Sequence, residues 1–278
     1  MVIKGDSKVI CFQDNSVKER DLKSIYIPSN YSDITNCLVK IGDTIYYCKG
    51  NSLHFMTNEL IGTYLAKRLG LDTVDYQIGI RESDGHFFAL SEIFYEEGYQ
   101  YQSACEFLKQ HHYKNCFQML PGDIRTILPS YYRMKTLKLY KGTPFYDSNL
   151  KLIALDLKMI QRDRHDENLQ VKIDSKGTID LAPIYDYGRS YKYPFKVAYA
   201  NPFAFIRFTE STLEHLFKHY PELKEYVFFL SSISIDEILS SIEEEKSVVF
   251  TPEERIEYQI AQELSENVIN KAKVKTFY

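Results

Sequence analysis

Three oxygen-bearing side chains, Asp163, Asn168 and Asp186, have the types and spacing to act together. They lie in LIALDLKMIQRDRHDENLQVKIDSKGTIDLAPIYDYGRSY, residues 152–191. Upstream, Leu150, Ile153, Ala154, Leu157 and Ile160 keep a helical apolar stripe that ends at Gln161. Residues 162–168 are all polar. Leu169, Val171 and Ile173 then alternate with Gln170 and Lys172, Asp174-Ser175-Lys176-Gly177 makes a turn, and Ile179 and Leu181 alternate again. That pattern predicts a hairpin with one buried face. Its far end, Asp186, returns beside its near end, Asn168. Such a convergence suits phosphoryl transfer, where a carboxylate orients or deprotonates the attacking hydroxyl and hard oxygens hold Mg²⁺ on the nucleotide phosphates. One or two protein carboxylates suffice for Mg²⁺, which keeps several of its waters.

The elements that must position this site change character along the chain. From about Val9 to Phe94 short strand-like runs dominate, among them Thr35–Ile41, Thr44–Lys49, Tyr76–Arg81 and His86–Phe94. One amphipathic helix interrupts them at about Thr57–Leu69, with Gly70 as its stop. After about Gln100 helical periodicity takes over. Helices are predicted at Ser103–His112, Asp123–Leu139, Ser148–Ile160, Ser211–His219, Glu222–Leu230, Ile235–Lys246 and Pro252–Lys273, with the hairpin at 169–181 as the one strand pair among them.

Phosphoryl transfer also needs a cation on the nucleotide phosphates, usually a strand lysine held by a helix glutamate. Lys49 ends a strand-like run and Glu59 follows in the predicted helix; Lys40 is the competing lysine. In protein kinases the metal-binding Asn stands five residues after the catalytic Asp, and the second metal Asp sits in a D-x-G turn. Asp163 and Asn168 have that spacing, and Asp186-Tyr187-Gly188 has that form. The order Asp163-Arg164-His165 departs from His-Arg-Asp.

D-R-H-x-x-N, a hairpin, and then L-A-P-I-Y-D-Y-G resemble the catalytic core of HipA-like serine/threonine kinases, with a more distant likeness to phosphatidylinositol kinases. The resemblance spans roughly residues 28–190. It implies an α+β, two-lobed protein-kinase-like fold, with a small antiparallel β-rich N-lobe carrying one helix (1–94) and a larger helical C-lobe (95–278). It implies Asp163 as the catalytic base, Asn168 and Asp186 as Mg²⁺ ligands, and Leu181-Ala182-Pro183 and Tyr185 as structural. The family's phosphate loop is richer in Ser than in Gly. Here it corresponds to 28–33, with Ser29 and Ser32, since no G-x-G-x-x-G occurs. Leu90–Phe94 matches the interlobe hinge by position, so Glu92 and Phe94 are expected near adenine; a plain strand end would read the same way. Arg164 or His165 is expected to steady the loop or the transferring group.

The expected activity is ATP- and Mg²⁺-dependent phosphorylation of a protein hydroxyl by a toxin- or effector-type kinase, with a small DNA-binding antitoxin as the implied partner. A lipid or small-molecule kinase, and a silent pseudokinase serving as a binding module, are the alternatives. A net charge of −4 and a pI near 6.0 give no basic stripe for direct nucleic-acid binding. No apolar run approaches the roughly 18 residues that span a bilayer, and the N-terminus lacks a signal-peptide core. Synthesis in a cytoplasm is expected, with export as an effector left open. Five cysteines without a C-x-x-C suit a reducing compartment. Cys105, His111, His112 and Cys116 lack paired metal-ligand spacing, so a zinc site there is set aside.

Overall fold

The computed structural model describes residues 2–3, 10–12, 36–50, 53–83, 85–111, 137–161, 164, 169–188, 190–191 and 210–276. Strand β1 (Val2–Ile3) stands apart from the N-terminal sheet. That sheet holds β2 (Ile10–Phe12), β3 (Asn36–Ile41), β4 (Thr44–Gly50), β5 (Gln77–Arg81) and β6 (Phe87–Glu92), in the order β2-β5-β6-β4-β3. Gly42, at φ 61°, makes the β3–β4 turn that Gly-Asp predicts. The sheet is antiparallel except at its edge. There β2 pairs parallel with β5, which strand-by-strand patterning does not reveal.

Helix α1 (Leu53–Arg68) interrupts the strands as expected but begins about one turn early. Its first turn is held by tertiary contacts, His54 stacking on Tyr258, rather than by its own periodicity. Gly70 ends it in the left-handed conformation, with the Leu71 amide bonded back to the Ala66 carbonyl. Leu60, Ile61 and Leu65 point into the core.

A second sheet joins the two halves of the fold. Strand β7 (Gln100–Ser103) pairs antiparallel with β8 (Gln170–Ile173), which pairs with β9 (Ile179–Leu181). The hairpin at 169–181 was expected, but β7 corrects its isolation: QYQS carries no apolar alternation, and its pairing is supplied by β8. Helices α2 (Ala104–His111) and α3 (Pro144–Lys158) flank this sheet in the chain. Thr143 caps α3 by accepting from the Tyr146 amide, with Pro144 just inside, so the helix starts before the apolar stripe does. Of the helix expected at 123–139 only 137–139 are described, and they are helical.

The C-terminal part is α4 (Glu210–His219), α5 (Leu223–Ser231), α6 (Ile235–Lys246), the short β10 (Val248–Val249) and α7 (Pro252–Thr276). Ser234 caps α6 and Ser247 ends it at φ 54°. Strand β10 pairs with β1, a second pairing the sequence does not announce. One continuous core runs from α1 through α3 to α6 and α7. A small satellite of Val39, Tyr46, Cys48, Phe88 and Leu90 lies within the N-terminal sheet.

Candidate active site

Lys49 lies on β4 opposite Ala89 of β6. From there its Nζ stands 2.5 Å from Glu59 Oε1 of α1 and also pairs with Asp186 Oδ1. Burial alone would lower the Lys49 pKa. The Asp186 and Glu59 carboxylates overcome that and carry it above the ordinary lysine value. Of the two lysines weighed from sequence, Lys49 reaches the helix and the turn, while Lys40 is exposed on β3.

The chain brings Asp186 here by a clamp. After α1, Asp72 and Val74 bracket Ile184: the Ile184 amide donates to the Asp72 carbonyl at 2.9 Å and the Val74 amide to the Ile184 carbonyl at 3.1 Å. On the other side the Ala182 amide continues the hairpin by bonding to the Gln170 carbonyl at 2.9 Å. The segment leading to Asp186 is thus tied both to α1's exit and to the hairpin.

The turn itself is held residue by residue. Asp186 takes the left-handed conformation at φ 65°, uncommon for a residue other than glycine. Gln161 Nε2 donates to its carbonyl at 2.8 Å, and its amide faces the Tyr76 hydroxyl at 3.4 Å. Glu59 accepts from the Tyr187 amide at 2.8 Å and from the Gly188 amide at 3.0 Å while also holding Lys49. Asn58 Nδ2 donates to the Gly188 carbonyl at 2.9 Å and to the Ser190 carbonyl. Arg164 is fully buried. It donates to the Tyr185 carbonyl at 2.6 Å, and its guanidinium lies 3.3 Å from Asp156. It therefore braces the turn from inside.

Two glycines are required by contact. A Cβ on Gly62, in the middle of α1, would lie 2.1 Å from the Tyr187 ring. One on Gly188 would lie 2.6 Å from Phe55 Cδ1 and 3.0 Å from Glu59 Oε1. The turn packs directly on the helix backbone.

On the aromatic side of the site, Glu92 closes β6 and accepts from the Tyr46 hydroxyl at 3.5 Å. Phe94 stacks on Tyr185 at 6.0 Å and meets Tyr95 at a tilt at 4.9 Å. Of the two residues expected at the hinge, Phe94 thus abuts the segment that carries Asp186. Ser29, Ser32, Asp163, His165, Asn168, His112 and Cys116 lie outside the described residues.

The donor chemistry fits Mg²⁺. Asp186 offers a hard carboxylate, 19% exposed, on a turn whose backbone is anchored on both sides. Among the described residues no three His, Cys, Asp or Glu side chains gather as a cage, and Mg²⁺ bound on phosphates does not need one. Sequence reasoning missed Asn58, Gln161 and Tyr76, and it did not place Arg164 on the Tyr185 carbonyl. Asn58 did leave a signal: it is a polar residue on the helical face shared with Ile61 and Leu65.

Among solved structures, the chain matches the crystal structure of CtkA, a proinflammatory kinase of Helicobacter pylori, at a TM-score of 0.63 and 11% identity, over 97% of this chain and 98% of that one. This is a kinase fold. The two-lobed architecture expected from the resemblance is the one observed. HipA of Shewanella oneidensis MR-1, solved with HipB and operator DNA, matches at a TM-score of 0.47 and 13% identity, over 93% of this chain and 71% of that one. A choline/ethanolamine kinase family protein of Mesorhizobium loti matches at 0.27 and 13%, over 87% and 97%. No family model and no curated protein matches the sequence. Within the kinase fold, Lys49 occupies the sheet, Glu59 the helix beside it and Asp186 the turn beneath.

Proposed function

We propose that the chain is an ATP- and Mg²⁺-dependent phosphotransferase that moves the γ-phosphoryl group of ATP to a serine or threonine hydroxyl of a protein. The observation that carries this reading is the three-way meeting of Lys49, Glu59 and Asp186, with Glu59 bonded at once to the lysine and to two amides of the Asp186-Tyr187-Gly188 turn. A sheet lysine locked to a metal-binding turn by one helix glutamate is what phosphate neutralisation demands.

In this reading Glu59 holds the Lys49 ammonium toward the α- and β-phosphates, which compete with Asp186 for it. Asp186 and Asn168 would hold Mg²⁺, whose bound charge neutralises the phosphate oxygens. Asp163 accepts the proton of the acceptor hydroxyl as its oxygen bonds to the γ-phosphorus. The bond from that phosphorus to the bridging oxygen breaks, and ADP leaves with the electron pair. Ser29 and Ser32 are assigned to the phosphates, Glu92 and Phe94 to the adenine end.

The test is transfer from γ-labelled ATP to a protein mixture and, in parallel, to small-molecule alcohols such as choline. Asp163→Ala and Asp186→Ala are each expected to lower transfer by about a thousandfold or more while circular dichroism shows a folded protein. Equal labelling by wild type and both variants would sink the proposal. Label found only in the small-molecule fraction would reassign the acceptor.

A further inference from the structure

The amide of Asn58 is fully buried and used at both ends. Its Nδ2 donates to the Gly188 and Ser190 carbonyls, and its Oδ1 accepts from the Tyr258 hydroxyl at 3.2 Å. Tyr258 belongs to α7, 200 residues further along the chain. Its ring lies parallel to that of His54, one turn before Asn58, with centroids 5.5 Å apart, and meets Tyr191 edge-on at 5.9 Å. Its hydroxyl also lies 3.3 Å from His54 Nδ1.

A side-chain amide has one end that accepts and one that donates. The Gly188 and Ser190 carbonyls can only accept, so they decide that the NH₂ faces the turn. With the amide reversed, Oδ1 would face both carbonyl oxygens. That orientation leaves the buried Oδ1 toward α7, where the Tyr258 hydroxyl donates to it and holds the amide from behind. Burial pushes the Tyr258 ionisation well above the ordinary tyrosine value, so the hydroxyl remains a donor across the neutral range.

We infer that Tyr258 is a positioning residue for the Asp186 turn, acting through Asn58 to hold the backbone that follows the carboxylate. The inference rests on the reading of Asp186 as a Mg²⁺ ligand. Helix α1 grips the turn on both edges with adjacent residues, Glu59 taking amide hydrogens and Asn58 taking carbonyls. The Asn58 side chain is held from behind by a hydroxyl from α7, which makes the C-terminal helix a structural partner of the candidate metal site. Groups that orient a metal ligand without touching the ion alter affinity or activity by about 10- to 100-fold when removed.

Tyr258→Phe removes the hydroxyl and keeps the ring contacts. Two measurements are made on the full chain. Backbone hydrogen exchange at residues 187–191 is expected to quicken by about tenfold, with the middle of α7 unchanged, and the Mg²⁺ concentration for half-maximal transfer to rise by about tenfold at unchanged KM for ATP. Asn58→Asp, which places oxygen against the two carbonyls, is expected to move both readouts further in the same direction. A hydroxyl with only a structural role would lower the melting temperature and leave the Mg²⁺ dependence where it was, overturning the inference. Unchanged exchange at 187–191 would overturn it whatever the activity. If the wild type shows no Mg²⁺-dependent transfer, the proposed function fails on its own, and hydrogen exchange still decides whether the hydroxyl positions the turn.

Discussion

Two charge clusters among the described residues pair with opposite signs. In one, Lys49 stands between two carboxylates, Glu59 and Asp186. In the other, Asp75 stands between two ammonium groups, Lys67 and Lys246, which join the end of α1 to the end of α6. The central pairing is the same with the signs exchanged, although Lys246 also pairs with Glu245 at 3.0 Å, and the surroundings differ. Lys49 and Glu59 are 12% and 1% exposed, whereas Asp75 and Lys67 are 52% and 46% exposed. Water and salt screen the outer cluster, and little screens the inner one. Glu59 is also completed by the Tyr187 and Gly188 amides, a requirement the protein interior imposes and the surface does not. Burial, more than charge count, separates a site from a surface ion pair.

The largest expected effect breaks the inner cluster. Glu59→Ala strands Lys49 with one partner and leaves two buried amides without an acceptor. It should cost about 3–5 kcal/mol in urea unfolding. The raised Lys49 pKa gives the pH dependence: the folded state holds the proton more tightly than the unfolded chain. That stabilisation is complete below pH 10.5 and is lost as pH rises through the folded value. Wild type should therefore show an alkaline decline that Lys49→Met flattens. A Glu59→Ala cost below that of a surface mutation would end the contrast between the clusters.

A smaller effect concerns the packing that sets the inner cluster in place. Gly62→Ala should gain nearly 1 kcal/mol of helix propensity, about the Gly–Ala difference. The new methyl, however, meets the Tyr187 ring. That ring is fully buried, with its hydroxyl 3.0 Å from Thr73 and the Arg164 guanidinium 5.3 Å from its centre, so it has no room to yield. Overpacking of about 1–3 kcal/mol wins. The expected net is a loss of about 1–2 kcal/mol in chemical denaturation, with slower transfer because Tyr187 follows Asp186 directly. A stabilised Gly62→Ala protein would show that the turn does not press on α1.

These residues also mark what the sequence made legible. The helix α6 was readable to its last residue because Ser234 and Ser247 bound a clean apolar stripe. Lys49, Glu59 and Asp186 were readable because each carries a local signature: a strand end, a place in the helix that follows that strand, and a D-x-G turn. The roles of Asn58, Gln161 and Tyr258 were not, since each acts through long-range hydrogen bonds whose partners leave no period in the sequence. Strands β1, β7 and β10 were hidden for the same reason, their pairing being decided by distant partners. A glycine in the middle of α1 is likewise explained only by the Tyr187 ring above it.

The smallest effect tests the outer cluster. Burial would raise the Asp75 pKa, but Lys246 and Lys67 lower it below the ordinary aspartate value. The folded state then binds the proton less tightly than the unfolded chain, so the stabilisation is present above pH 3.8 and is lost as pH falls through the folded value. Asp75→Asn should cost about 0.2–1 kcal/mol at pH 7 in dilute buffer. The cost should shrink in about 1 M salt, where the screening length falls to roughly 3 Å, and vanish once acid protonates Asp75 in the wild type. Thermal melts at two salt concentrations and across the acid range measure both trends. If the cost persisted in high salt, the outer cluster would be behaving like the inner one, and exposure would not be what distinguishes them.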